Sequence, residues 1–202
     1  AYNEFVRADD YMESLDYFKK YENVLVMRTF SKVYGLAGLR VGALVGSQKH
    51  LQWVNRVRNP FNVNTLAQEA AIAAFGDSDY LTRSQEVVWK GLDDFYAFFE
   101  QEKIPFVRSQ ANFLLFDSLR DGQNFFNHNM KKGLLVRPLA GYGLPRHIRL
   151  SVGTEEENKK AIEILKRELK IKLIEQDRLK ETEIQALVNK LNIVEEKKAN
   201  AL

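Results

Sequence analysis

Cysteine is absent from the chain. No disulfide, thiolate metal site or cysteine nucleophile can therefore be built from it. Histidine is scarce: His50, His128 and His147 lie far apart and match no metal-ligand spacing, so no metal site is expected. Charge of one sign is also lacking. The 30 Lys and Arg stand against 27 Asp and Glu, a net of +3, interleaved throughout. A nucleic-acid binder more often shows a basic stripe, so no nucleic-acid partner is expected. No apolar run approaches the roughly 20 residues that span a bilayer. The opening residues do not follow a signal-peptide pattern. No G-x-x-x-x-G-K-[ST] is present, which removes the P-loop reading of any phosphate site.

What is present is 202 residues, 45% hydrophobic and 28% charged, enough for a sizeable core in one or two domains. The expectation is a soluble cytoplasmic protein with no membrane partner. The chain opens on Ala1-Tyr2-Asn3-Glu4-Phe5 rather than Met. This reads as the strand-like interior of a longer chain, with a processed terminus as the alternative.

Periodicity sets out the elements. Residues 11–21 have helical spacing, and Val24–Met27 and Val41–Val45 read as strands. Ser47 should cap a helix carrying Leu51, Val54 and Val57, which Asn59-Pro60 ends. Thr65 with Gln68 has the form of a capping box, and Gly76 that of a helix-terminating residue. From about 79 to 102, Leu81, Val88, Leu92, Phe95, Tyr96 and Phe99 share one face, a stripe read as core. Strands are expected at 106–107, 112–116, 134–138 and 148–152, with a helix over 123–132. A last helix should start at Thr154, where Thr154-Glu155-Glu156-Glu157 is a capping box. Strands alternating with helices imply an α/β fold. Residues 171–202 hold six basic and six acidic residues, with Ile184, Leu187, Val188, Leu191 and Val194 at helical spacing. This tail reads as an amphipathic helix lying on its own domain or on another chain.

The segment Thr29-Phe30-Ser31-Lys32-Val33-Tyr34-Gly35-Leu36-Ala37-Gly38-Leu39-Arg40-Val41-Gly42 carries the chemistry. Its glycines permit close backbone approach to a ligand. Thr29, Ser31 and Arg40 supply hydroxyl and guanidinium donors suited to a phosphate. Lys32 beside such a cradle is either a point-charge phosphate ligand or an amine nucleophile forming a Schiff base.

At Ser31, Lys32, Gly35, Gly38, Arg40 and Gly42 the segment resembles the lysine motif of fold-type I pyridoxal-phosphate enzymes, the aspartate aminotransferase superfamily. Further stretches resemble its histidinol-phosphate aminotransferase branch: Ala1–Phe5, Asn59–Asn64 with Leu66–Gln68, Gly133–Pro145, Ile148–Thr154 and Glu156–Asn158. The resemblance covers about residues 1–169. It implies that Lys32 is the catalytic lysine, holding pyridoxal phosphate as a Schiff base and then moving a proton. Tyr2 would hydrogen-bond the cofactor's phenolic oxygen. Thr29, Ser31 and Arg40 would hold its phosphate. Arg149 would bind the substrate carboxylate and Arg137 would help with the substrate phosphate; each alone also reads as a surface charge.

The same resemblance implies transamination of histidinol phosphate with 2-oxoglutarate in histidine biosynthesis, by an enzyme that is a homodimer when intact. An aromatic amino-acid aminotransferase or a threonine-phosphate decarboxylase would share Lys32 and Arg40. A cofactor-free remnant acting by protein association is a third reading. The pyridinium-pairing aspartate of the family would precede Ala1 by two residues and is not in this sequence. Residues 1–80 are thus expected to be the end of the large cofactor domain, 81–170 the small C-terminal α/β domain, and 171–202 the tail. The chain alone is expected to be inactive.

Overall fold

The computed structural model describes residues 1–168, 180–186 and 188. The chain forms two compact units, Ala1–Asn158 and Lys159–Leu202.

In the first unit, a short helix α1 (Ser14–Lys20) opens on Glu13, whose side chain accepts from Leu15 N. The expected helix thus starts three residues late, because this carboxylate takes the cap position. Strands β1 (Val26–Thr29) and β2 (Gly42–Val45) form a two-stranded antiparallel ribbon. Its register, Val26↔Val45 to Thr29↔Gly42, carries β1 to Thr29, two residues past the periodicity reading. Pairing with β2, rather than the apolar run, decides where β1 lies. Met27 is left 78% exposed on the ribbon.

Helix α2 spans Gln48–Val57 and stops before Asn59-Pro60. Ser47 precedes it as expected but makes no side-chain cap bond; its hydroxyl meets His50 Nδ1 at 2.7 Å. Helix α3 (Thr65–Gly76) is capped by Asn64, whose Oδ1 accepts from Ala67 N at 2.8 Å. The expected Thr65–Gln68 box is therefore displaced: Asn64 outcompetes Thr65 for the cap, and Gln68 Nε2 donates back to Val63 O. Gly76 is the last helical residue rather than the terminator. Asp77 ends α3 and caps α4 (Ser78–Gln101), accepting from Tyr80 N at 2.9 Å.

The remaining strands β3 (Phe106–Val107), β4 (Phe113–Asp117), β5 (Arg137–Leu139) and β6 (Leu144–Ser151) form one antiparallel sheet in the order β3-β4-β6-β5. Helix α5 (Gly122–Met130) lies between β4 and β5 in the chain. One sheet face presents Leu114, Phe116, Ile148 and Leu150, all buried. Phe95 and Phe99 of α4 and Phe125 of α5 fill it, with Phe99 and Phe116 rings stacked at 4.8 Å. Each such side chain contributes about 1.5–3 kcal/mol by leaving water. The α4 stripe is therefore core, although Leu81 is only partly buried. Leu134 and Val136 are buried but precede β5, whose start is set by Arg137 meeting Arg149.

A last helix, α6, runs over 155–168. Thr154 and Glu157 cap it reciprocally: Thr154 N donates to Glu157 Oε2 at 2.8 Å and Glu157 N to Thr154 Oγ1 at 3.3 Å. In the second unit, residues 180–186 are helical, with Ile184 exposed. Leu187, Leu191 and Val194 of the expected amphipathic face lie outside the described residues. No described helix is long and apolar enough to cross a membrane.

Candidate functional site

The loop from Phe30 to Val41 joins the two strands of the ribbon and is pinned at both ends. Phe30 N donates to Val41 O at 3.2 Å, and Leu36 N to Phe30 O at 2.9 Å. Beneath it Val41, Ala67 and Ala71 form a small core joined by Phe30, Leu36, Leu39 and Val63. Val33 is buried while its neighbour Lys32 is exposed. The apolar anchors thus hold the loop and leave the amine outside it. Gly42 closes the loop because a Cβ there would lie 2.7 Å from Arg28 O; a side chain would push the two strands apart.

Thr29 and Ser31 come together at the loop entrance, where Ser31 N donates to Thr29 Oγ1 at 3.1 Å. Arg40 sits at φ +54°, the left-handed region that disfavours a side chain, and its guanidinium donates to Ala37 O at 2.8 Å. That bond uses one N–H of five. The rest of the fork remains for a ligand.

Tyr2 arrives from a different direction. Residues 1–8 are strapped onto α4 by contacts that span more than 80 positions. Trp89 Nε1 donates to Phe5 O at 2.8 Å, Gln85 Nε2 donates to Glu4 O, and Arg7 pairs bidentately with Asp93 at 2.8 and 3.0 Å. The Arg7 fork holds the Asp93 carboxyl below its ordinary pKa. A second brace runs through Glu13. Burial pushes its carboxyl pKa up, but donors from Asn3, Leu15 and Ser14, with the Arg28 charge, bring it down to about 2. Arg28 pairs with this carboxylate one residue before Thr29, so the brace ties α1 to the end of β1.

Held this way, the Tyr2 ring lies 5.6 Å from Lys32 Nζ. The same ring meets Phe113 in a T-shaped pair, 5.3 Å between centroids at 86°. The Arg149 guanidinium lies 4.9 Å from the Phe113 ring centroid. Arg149 Nε is buried without a hydrogen-bond partner, and no carboxylate pairs with the side chain among the described residues. Arg137 stands directly across from Arg149 in the β5–β6 ladder. Like charges facing each other on a sheet are unfavourable unless an anion joins them. A cleft of about 340 Å³ opens beside Lys32, bordered by Phe5, Tyr80, Arg83 and Thr154.

Lys32, Tyr2 and Arg149 are thus joined through Phe113, with Arg137 beside Arg149. Thr29 and Ser31 lie at the loop entrance, and Arg40 is folded onto its own turn. Sequence reasoning missed Phe113, the Glu13–Arg28 brace and the strap from residues 1–8. These depend on long-range partners that local spacing does not signal. Among the described residues no cluster of three or more His, Asp or Glu is placed to hold a metal ion. An amine, two hydroxyls and a guanidinium on one loop, together with an Arg149 whose Nε has no hydrogen-bond partner, suit a phosphorylated carbonyl cofactor and an anionic substrate.

The chain belongs to the aminotransferase class I and II family, whose pattern matches residues 1–165. Within that class it is 49% identical over 170 residues to the histidinol-phosphate aminotransferase of Bdellovibrio bacteriovorus, covering 84% of this chain and 46% of that protein. It is 44% identical over 165 residues to histidinol-phosphate aminotransferase 1 of Nitrosococcus oceani, covering 82% and 45%. The crystal structure of the Sinorhizobium meliloti histidinol-phosphate aminotransferase in complex with pyridoxal-5'-phosphate superposes with a TM-score of 0.73 at 27% identity, over 84% of this chain and 47% of that one. The chain spans about half the length of the relatives it matches.

Proposed function

We propose that this chain supplies the lysine loop and the substrate-carboxylate arginine of a pyridoxal-phosphate-dependent aminotransferase. The whole protein would pass the amino group of histidinol phosphate to 2-oxoglutarate, as a homodimer in the cytoplasm. Residues 1–80 are assigned to its cofactor domain and 81–170 to its small domain. One observation carries the reading: Lys32, Tyr2, Phe113 and Arg149 form a continuous row from an exposed amine to an unneutralised guanidinium.

Pyridoxal phosphate, when bound, supplies the electron sink that makes the substrate Cα–H acidic. The protein residues do the rest. Lys32 Nζ would hold the cofactor and, once released by substrate, would carry the proton from the substrate Cα to the cofactor's imine carbon. The Tyr2 phenol donates a hydrogen bond to the cofactor's phenolic oxygen. Thr29 and Ser31 hydroxyls and the free N–H groups of Arg40 hold the cofactor phosphate. Arg149 binds the carboxylate of the amino or keto acid, and Arg137, next to it, receives the substrate phosphate. Two guanidiniums side by side suit an anion with spread charge better than a single neutral substrate.

The test is borohydride reduction of the whole protein with pyridoxal phosphate, followed by peptide mapping. Label on Lys32 is expected, and label on another lysine refutes the assignment. Histidinol phosphate assayed beside aromatic amino acids and threonine phosphate then identifies the substrate.

A further inference from the structure

The row of site residues passes through a side chain with no reactive group. Phe113 stands on β4 with Leu114 and Phe116 as neighbours of alternating direction. Leu114 and Phe116 point into the core, 0% and 2% exposed. Phe113 is therefore on the other face, the one that carries Arg149, and sits diagonally from it across the β4–β6 ladder. Among the ring contacts of the described residues, only Phe113 touches both Tyr2 and Arg149.

An arginine is commonly aimed by a carboxylate, which orients the fork and also neutralises it. No described carboxylate pairs with Arg149, and its Nε is buried without a partner. A phenyl face orients a guanidinium through its quadrupole and occupies no N–H. The same ring packs against the Tyr2 ring in a T-shaped pair, so moving it would shift both neighbours.

We propose that Phe113 is a positioning residue, whose ring fixes Arg149 relative to Tyr2 and Lys32 while leaving the guanidinium free for an incoming carboxylate. This rests on the reading of Arg149 as the carboxylate ligand given above.

The test uses the 202-residue chain with ¹⁵N-labelled arginine and succinate as the carboxylate probe. The Arg149 Nε–Hε resonance is identified by its loss in Arg149→Lys. It should be shifted upfield by the Phe113 ring current and should move on titration with succinate. Phe113→Leu should remove the ring-current shift and weaken succinate binding about tenfold. Phe113→Tyr, which keeps the π face, should retain both. Thermal unfolding midpoints report whether each variant folds; should Phe113→Leu not fold, Phe113→Met reads the same loss. Unchanged succinate affinity in the folded variant overturns the proposal, as does an Arg149 signal that ignores succinate in the parent chain. Borohydride mapping on the whole protein, as above, separates the two ideas. Label away from Lys32 refutes the functional reading while the Phe113–Arg149 coupling stands. Label on Lys32 with unchanged succinate affinity removes the role of Phe113 alone.

Discussion

Replacing Gly91 by alanine should destabilise the chain, although the usual rule predicts the opposite. Gly91 lies in the interior of α4, where glycine costs about 1 kcal/mol relative to alanine through backbone entropy. Helix propensity alone therefore predicts a gain of that size. The surroundings reverse the sign. A Cβ at Gly91 would lie 2.5 Å from Asn158 Nδ2 and closer still to Val152 Cγ1. Asn158 cannot move aside freely, because it is 3% exposed and clasps Gly153 by both polar groups. Gly153 N donates to its Oδ1 at 2.9 Å, and its Nδ2 donates to Gly153 O at 3.1 Å. Overpacking of this kind costs about 1–3 kcal/mol. Loss of one of the two clasp hydrogen bonds would add about 1 kcal/mol. After subtracting the propensity gain, a net loss of about 2 kcal/mol is expected.

The assay is urea unfolding followed by circular dichroism. A loss of that size lowers the midpoint by about 1 M at a slope of about 2 kcal/mol/M. Gly76→Ala is the control: nothing lies within 4 Å of a Cβ placed there, so it should be neutral or slightly stabilising. Val152→Ala in the Gly91→Ala background should recover part of the loss. Should Gly91→Ala stabilise the chain as a helix-propensity substitution would, the close-approach argument is wrong.

Glu13→Gln should lower stability by about 1 kcal/mol at pH 7; the full pKa shift corresponds to about 3 kcal/mol, cut for the carboxylate's partial exposure. The Glu13 pKa is depressed, so its contribution is complete above pH 4.5 and lost as pH falls toward about 2. Unfolding midpoints measured across that window should fall less in the variant than in the parent. Arg40→Lys should weaken cofactor binding by about 1–3 kcal/mol through loss of the fork, read by pyridoxal-phosphate titration. Unchanged affinity would leave Arg40 as a loop residue bonded to Ala37. The 202-residue chain alone should give no transamination of histidinol phosphate with 2-oxoglutarate, since preorganised donors act only within a complete scaffold. Glutamate formation near the rate of a full-length aminotransferase would refute this.

The parts of this structure that sequence reveals are those governed by neighbours three or four residues away, or by alternation. The α4 stripe, the alternating core residues of β4 and β6, and the Thr154–Glu157 box are of this kind. The Lys32 loop was legible because its glycines, hydroxyls and cations sit within fourteen residues. Competition between adjacent candidates was not legible. Asn64 and Thr65 are both good caps, and only the path of the backbone selects Asn64. Gly76 had the right chemistry to end α3, but Asp77 serves as the end of one helix and the cap of the next. The position of β1 followed its partner β2 rather than its own apolar run. Phe113 lies in the expected 112–116 strand, and its contact with Tyr2, 111 positions away in the chain, leaves no local signal.

The two arginines that face each other across β5 and β6 make the solution around the protein part of its stability. Strand β5 has three residues, includes Pro138, and changes register between Pro138 and Leu139, so few ladder bonds hold it against repulsion between Arg137 and Arg149. An anion that bridges the guanidiniums replaces that repulsion with two attractions and binds the folded chain alone, so its free energy of binding adds to that of folding. Phosphate buffer would then act as a weak ligand rather than as an inert medium. Melting curves recorded in phosphate and in a zwitterionic buffer such as HEPES would describe the sheet edge in two different states of charge.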